Sequence, residues 1–190
     1  DFATAVAGVT LEVTGEEHLW SHRPAVFVFN HQSNIDMLLL CKLLRRDFVG
    51  VAKQEARANP IFGPAFALAG TVFIDRSNPR QAIEALRPAV SALRDGTSLV
   101  IAPEGTRSAT TRIGPFKKGA FHIAMAAGAP IVPIVFRNTC DALPKHGVVV
   151  RGATVEVVVL PPIRTTGWTG DTLDRRVDEI RAQFVETLEG

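Results

Sequence analysis

A chain of 190 residues, 46% hydrophobic and 21% charged, is long enough for one ordinary domain and too apolar to stay disordered. Its 21 basic side chains nearly balance 19 acidic ones, for a net charge of +2, which leaves no nucleic-acid footprint and no polybasic tail. No run approaches the roughly 20 apolar residues that span a bilayer, and Cys41 and Cys140 lack the spacing of a metal or redox pair, as suits a reducing compartment.

In chain order, strand and helix signals alternate without a repeat or a low-complexity linker. That pattern predicts one α/β domain over residues 1–190, with a largely parallel central sheet flanked by helices. Residues 9–14 (VTLEVT) alternate apolar and polar, as a half-exposed strand does, whereas 25–29 (AVFVF) form the continuous run of a strand covered on both faces. A helix that is apolar nearly all round follows at 33–44, then a strand at 48–52, a broken helical stretch through Leu68 and a short extended piece at 72–74. Asn78 and Pro79 open the next helix as N-cap and first helical residue; Ile83, Leu86, Val90 and Leu93 form its buried stripe, and Pro88 is expected to kink it. Strands at 98–102 and 131–136 bracket a helix at 118–127, two β-rich runs lie at 148–150 and 155–160, and 171–188 closes the chain as an amphipathic helix. The chain opens at Asp1 rather than at a methionine, and the reading leaves room for an anchor or a further domain upstream.

Three of four notable patches lie just past the C-terminal end of an expected strand, where open α/β sheets place their ligands. The first is Asn30-His31-Gln32-Ser33-Asn34-Ile35-Asp36. An acid five residues after the histidine falls in the first turn of the next helix, where it can hold one ring nitrogen while the other faces a substrate hydroxyl. A second reading makes Ser33 and Asp36 a helix capping pattern, which leaves His31 without a role. The second patch, Pro103-Glu104-Gly105-Thr106-Arg107-Ser108, offers a tight turn, two hydroxyls and a guanidinium fork that matches phosphate. By itself it also reads as a polar surface turn. The third, Phe73-Ile74-Asp75-Arg76, reads as a surface ion pair, and the fourth, 131–135 (IVPIV), as core strand.

Together and in this order the patches resemble the glycerophospholipid acyltransferases typified by 1-acyl-glycerol-3-phosphate acyltransferase. That family shows N-H-x4-D, G-x-x-F-I-D-R, P-E-G-T-R-S and V-P-[IV]. Here they stand as Asn30-His31 with Asp36, Gly70 to Arg76, Pro103 to Ser108, and Val132-Pro133-Ile134. The resemblance covers roughly residues 9 to 160, and 116–121 (FKKGAF) looks like the segment that follows the third block. It implies that His31 is a general base oriented by Asp36, and that the acceptor hydroxyl attacks the thioester of acyl-CoA or acyl-carrier protein with no acyl-enzyme. It implies further that Arg107 binds the acceptor phosphate in a pocket shaped by Gly105 and Thr106, with Lys53 and Arg76 as further cations. Asn30, Ser33, Glu104 and Ser108 support the site. No cofactor is expected beyond the acyl thioester co-substrate, and no metal, because the five histidines show no ligand cluster.

A lysophospholipid acceptor is half lipid, so the resemblance also implies a peripheral place on the cytoplasmic face of a membrane. Residues 61–68, with Phe62 and Phe66 near Arg57 and Arg45, are the candidate contact. Met37 to Leu40 read either as an acyl groove or as core. Glycerol 3-phosphate, another lysophospholipid or a glycolipid would suit the same motifs as acceptor. A non-catalytic lipid-binding module would need neither His31 nor Asp36, and a serine hydrolase would need a G-x-S-x-G elbow that the sequence lacks.

Overall fold

The computed structural model describes residues 8–58, 70–74, 84–108, 112–144, 147 and 149–190, with the backbone alone for Lys53 and Ala56. The elements are β1 (Val9–Thr14), α1 (His18–Ser21), β2 (Val26–Phe29), α2 (Asp36–Leu44), β3 (Phe48–Lys53), β4 (Val72–Ile74), α3 (Arg87–Arg94), β5 (Ser98–Ile101), α4 (Gly119–Ala127), β6 (Ile131–Phe136), α5 (Thr139–Ala142), β7 (Ala153–Val159) and α6 (Gly170–Glu189). The strands join in one sheet in the order β1-β7-β6-β2-β5-β3-β4. β6, β2, β5, β3 and β4 run parallel, while β7 meets β6 antiparallel and carries β1 parallel to itself. The largely parallel sheet expected from the alternating pattern is therefore present. Its five-stranded block brings the C-terminal ends of β2, β5 and β3 to one edge.

The apolar runs explain where the core lies. β2, β5 and β6 are buried at every position, because helices cover both faces of the sheet there. On one face Phe27 and Phe29 pack with Leu39, Leu40, Leu43 and Leu44 of α2. On the other, Val26 and Val28 pack with Leu93 of α3, Phe121 of α4 and Leu173, Val177, Ile180 and Phe184 of α6. β1 and β7 lie at the margin and alternate buried with exposed residues.

Several boundaries differ from expectation, each for a local reason. α2 begins at Asp36 and not at 33, since Asp36 turns its carboxylate back onto the amides of Gln32 and Ser33. Pro88 does not kink a long helix. A 3-10 turn at Glu84–Leu86 precedes α3, and Pro88 sits in its first turn, where a missing N–H leaves no helical bond unmade. Residues 149 and 150 are not in a strand, and Val149 points to solvent. The expected N-cap at Asn78 and the interfacial segment 61–68 lie outside the described residues. Among the described residues, no helix is long and apolar enough to cross a membrane.

Candidate active site

The site is built on the turn that leaves β2. The pairing of β2 with β6 ends at Phe29 with Ile134, and the side chain of Asn30 then supplies one more rung. Its Nδ2 donates to the carbonyl of Phe136 at 2.8 Å, and the Phe136 N–H donates to its Oδ1 at 2.8 Å. Asn30 is fully buried, so truncating it would strand two buried backbone groups at about 1–3 kcal/mol each. With its side chain spent on β6, the backbone turns away at the sheet edge and presents His31.

Backbone bonds fix His31 from both sides. Its N–H donates to Glu104 Oε1 at 3.3 Å, and its carbonyl accepts from the Ser108 N–H at 2.8 Å. Glu104 Oε2 accepts from the Gly114 N–H at 2.9 Å. Both carboxylate oxygens of this buried residue are thus occupied by backbone amides, which makes Glu104 a brace between two loops. Arg181 on α6 holds the far side of the same brace through the carbonyls of Ile113 and Gly114.

The imidazole is held as firmly. His31 Nδ1 lies 2.8 Å from Asp36 Oδ2, and that oxygen also accepts the N–H groups of Gln32 at 2.8 Å and Ser33 at 2.9 Å. Two amide donors aimed at Oδ2 make it an acceptor, so Nδ1 is the ring nitrogen that donates to it and Nε2 is the one turned to a substrate. Phe29 packs its edge on the ring at 5.5 Å. Asp36 is fully buried, whereas the His31 side chain keeps 21% of its surface open. Capping and orientation therefore coincide: one carboxylate ties back the Ser33 amide and also holds His31. The serine takes its own part: the Ser33 hydroxyl accepts the Ile35 N–H at 3.3 Å and donates to the carbonyl of Leu143.

The ring opens on a cavity of about 310 Å³. His31, Gly105, Thr106 and Arg107 form its polar end, and Phe29, Met37, Val51, Val100 and Ile101 supply apolar wall. Met37 alone of the Met37 to Leu40 run faces this cavity; Leu39 and Leu40 are core, and Leu38 is exposed. The loop after β5 thus reaches the loop after β2, as the sheet order β2-β5 requires. Lys53 ends β3 at the same edge, paired with Ile74; its side chain and the whole of Arg76 lie outside the described residues. Ser108 serves through its backbone, and its hydroxyl donates to the Arg112 carbonyl.

Cys140 donates through its thiol to the Gln32 carbonyl at 3.7 Å. Burial raises its thiol, and the charges of Asp36 and Asp141 raise it further. It is therefore kept in the unreactive protonated form at neutral pH. Among the described residues, no three His, Cys, Asp or Glu side chains gather as a metal site requires.

Comparison with known proteins gives consistent matches. A family model described as Acyltransferase matches residues 10–137. The 1-acyl-sn-glycerol-3-phosphate acyltransferase of Limnanthes alba is 39% identical over 182 residues, covering 95% of this chain and 64% of that protein. The enzyme of the same name from Saccharomyces cerevisiae is 38% identical, covering 95% and 60%. The human 1-acyl-sn-glycerol-3-phosphate acyltransferase alpha is 37% identical, covering 92% and 62%. The chain thus spans less than two thirds of the length of these curated relatives. The crystal structure of PlsC, the 1-acyl-sn-glycerophosphate acyltransferase of Thermotoga maritima, superposes with a TM-score of 0.79 at 27% identity, covering 100% of this chain and 76% of that one.

Proposed function

This chain belongs to the acyltransferase family, and from that premise we propose that it transfers an acyl group from acyl-CoA or acyl-carrier protein to the free hydroxyl of a 1-acyl-glycerol 3-phosphate, making phosphatidate. The observation that carries this reading is the meeting, in one cavity, of a histidine oriented by a buried aspartate with a Gly-Thr-Arg loop. The apolar wall beside that polar end suits an amphiphilic substrate.

In the proposed reaction His31 Nε2 takes the proton of the acceptor hydroxyl as its oxygen attacks the thioester carbonyl. The C–O bond forms, the C–S bond breaks, and the proton passes from His31 to the departing thiolate. Asp36 stabilises the imidazolium formed in between. No acyl-enzyme is needed, in keeping with a protonated Cys140 and the absence of a serine elbow. No metal takes part in the scheme. Arg107 holds the acceptor phosphate, Gly105 and Thr106 shape its pocket, and Lys53 and Arg76 are proposed as further cations.

Arg107→Ala is expected to weaken acceptor use by roughly 10- to 150-fold, the worth of one charge-assisted contact to phosphate. Arg107→Lys should recover part of this, since a point charge cannot reproduce a planar fork. Separate KM values for acceptor and donor check the assignment. Equal rises in both would indicate a distorted loop and count against phosphate recognition.

We propose also that the protein works at the cytoplasmic face of a membrane, through residues 61–68 and neighbouring arginines. Phe62→Ser with Phe66→Ser should then lower co-sedimentation with anionic liposomes, and added salt should lower it further. Binding that ignores both changes would move the contact elsewhere.

A further inference from the structure

We propose that Lys117 is a further phosphate-binding cation of the acceptor site, lying over Gly105 of the Arg107 loop. This rests on the acceptor reading above and adds a residue which that reading did not use.

The observation is the bare face of Gly105. Its φ of +74° is a left-handed conformation that favours glycine. A Cβ at this position would lie 2.9 Å from Lys117 Nζ, 3.2 Å from its Cδ and 3.3 Å from its Cε. The lysine side chain therefore runs over the glycine, in space that any other residue would fill. Its backbone is fixed to the same loop, because the Lys117 N–H donates to the Pro103 carbonyl at 2.8 Å. The preceding turn is held by Glu104 and Arg181. Gly105 lines the cavity, and the ammonium lies beside this glycine. Lys117 is not itself one of the lining side chains.

Its neighbour gives the contrast. Lys118 forms an ion pair with Asp174 of α6, whereas among the described residues no carboxylate pairs with Lys117. A phosphate monoester carries about −1.5 to −2 charges near neutral pH and three acceptor oxygens. The Arg107 fork suits two of them, and an ammonium beside Gly105 suits another. A phosphate-free acceptor would gain nothing from Lys117, so the residue would set acceptor specificity.

Lys117→Met keeps a long apolar stem over Gly105 and removes the charge, which separates packing from recognition. Binding of sn-glycerol 3-phosphate is measured by calorimetry on wild type, Lys117→Met and Lys117→Arg, alongside acceptor and acyl-CoA KM values. The expected result is a Kd and an acceptor KM raised about 5- to 10-fold in Lys117→Met. Lys117→Arg should lie near wild type, with the donor KM unmoved. A Lys117→Met protein within twofold of wild type on both acceptor readouts overturns the assignment, as do acceptor and donor KM values that rise together. Acceptor KM values of wild type and Lys117→Met for lysophosphatidate and for monoacylglycerol test the premise separately. If wild type does not prefer lysophosphatidate to monoacylglycerol, the acceptor reading fails and the role of Lys117 fails with it. If wild type discriminates and Lys117→Met discriminates equally, only Lys117 is wrong.

Discussion

His31→Ala is expected to lower kcat by at least about 100-fold while the protein stays folded, the scale of a lost general base. The structure explains why the fold should survive. The ties of His31 to Glu104 and Ser108 run through its backbone, so alanine keeps them. The Asp36 oxygen left without the imidazole still accepts the amides of Gln32 and Ser33. The removed ring is partly open to the cavity, so no sealed void remains in the core. Turnover measured beside thermal melting checks both halves. A folded variant with near-normal kcat would end the assignment of His31 as base.

Asp36→Asn should produce a second large loss, again of at least about 100-fold in kcat, together with a stability cost of about 1–3 kcal/mol. An amide oxygen can replace Oδ2 as acceptor for the same three N–H groups. It cannot supply the charge that stabilises the imidazolium, and the amide nitrogen would occupy the buried place of Oδ1, which has no hydrogen-bond partner among the described residues. Asp36→Ala goes further, because it strands the buried amides of Gln32 and Ser33. Denaturant melts on both variants separate the two roles of this carboxylate. Loss of activity in step with unfolding would mean that it only caps α2, whereas an inactive but folded Asp36→Asn supports the proposed pairing.

Much of this architecture was legible because local chemistry and tertiary context agree. Residues 9–14 and 131–136 have the bounds read from the sequence, since alternation and a continuous apolar run report burial directly. His31, Gly105, Thr106 and Arg107 stood out because they follow strands, and the parallel block places those strand ends together. What remained hidden depends on contacts distant in sequence. The partner of Asn30 is 106 residues away, and both of its hydrogen bonds go to backbone groups that no side-chain pattern announces. Arg181 braces the Gly114 turn from 67 residues away, on a helix whose sequence pattern reports only amphipathicity. Lys117 lies in the 116–121 segment noted in the sequence, but nothing there sets it apart from Lys118, because its interest lies in what Gly105 lacks. Glu104 is expected from the sequence to support the site, and its two backbone partners, distant in sequence, show which loops it joins.

The central claim is acyl transfer onto the hydroxyl of a phosphate-bearing lysolipid, and a direct assay decides it. The chain is incubated with acyl-CoA and, separately, with lysophosphatidate, glycerol 3-phosphate, lysophosphatidylcholine and monoacylglycerol, and the acylated product is quantified in each. The account predicts phosphatidate from lysophosphatidate as the dominant product, formed in step with free CoA. Release of CoA without an acylated lipid, or equal transfer to monoacylglycerol, would contradict it.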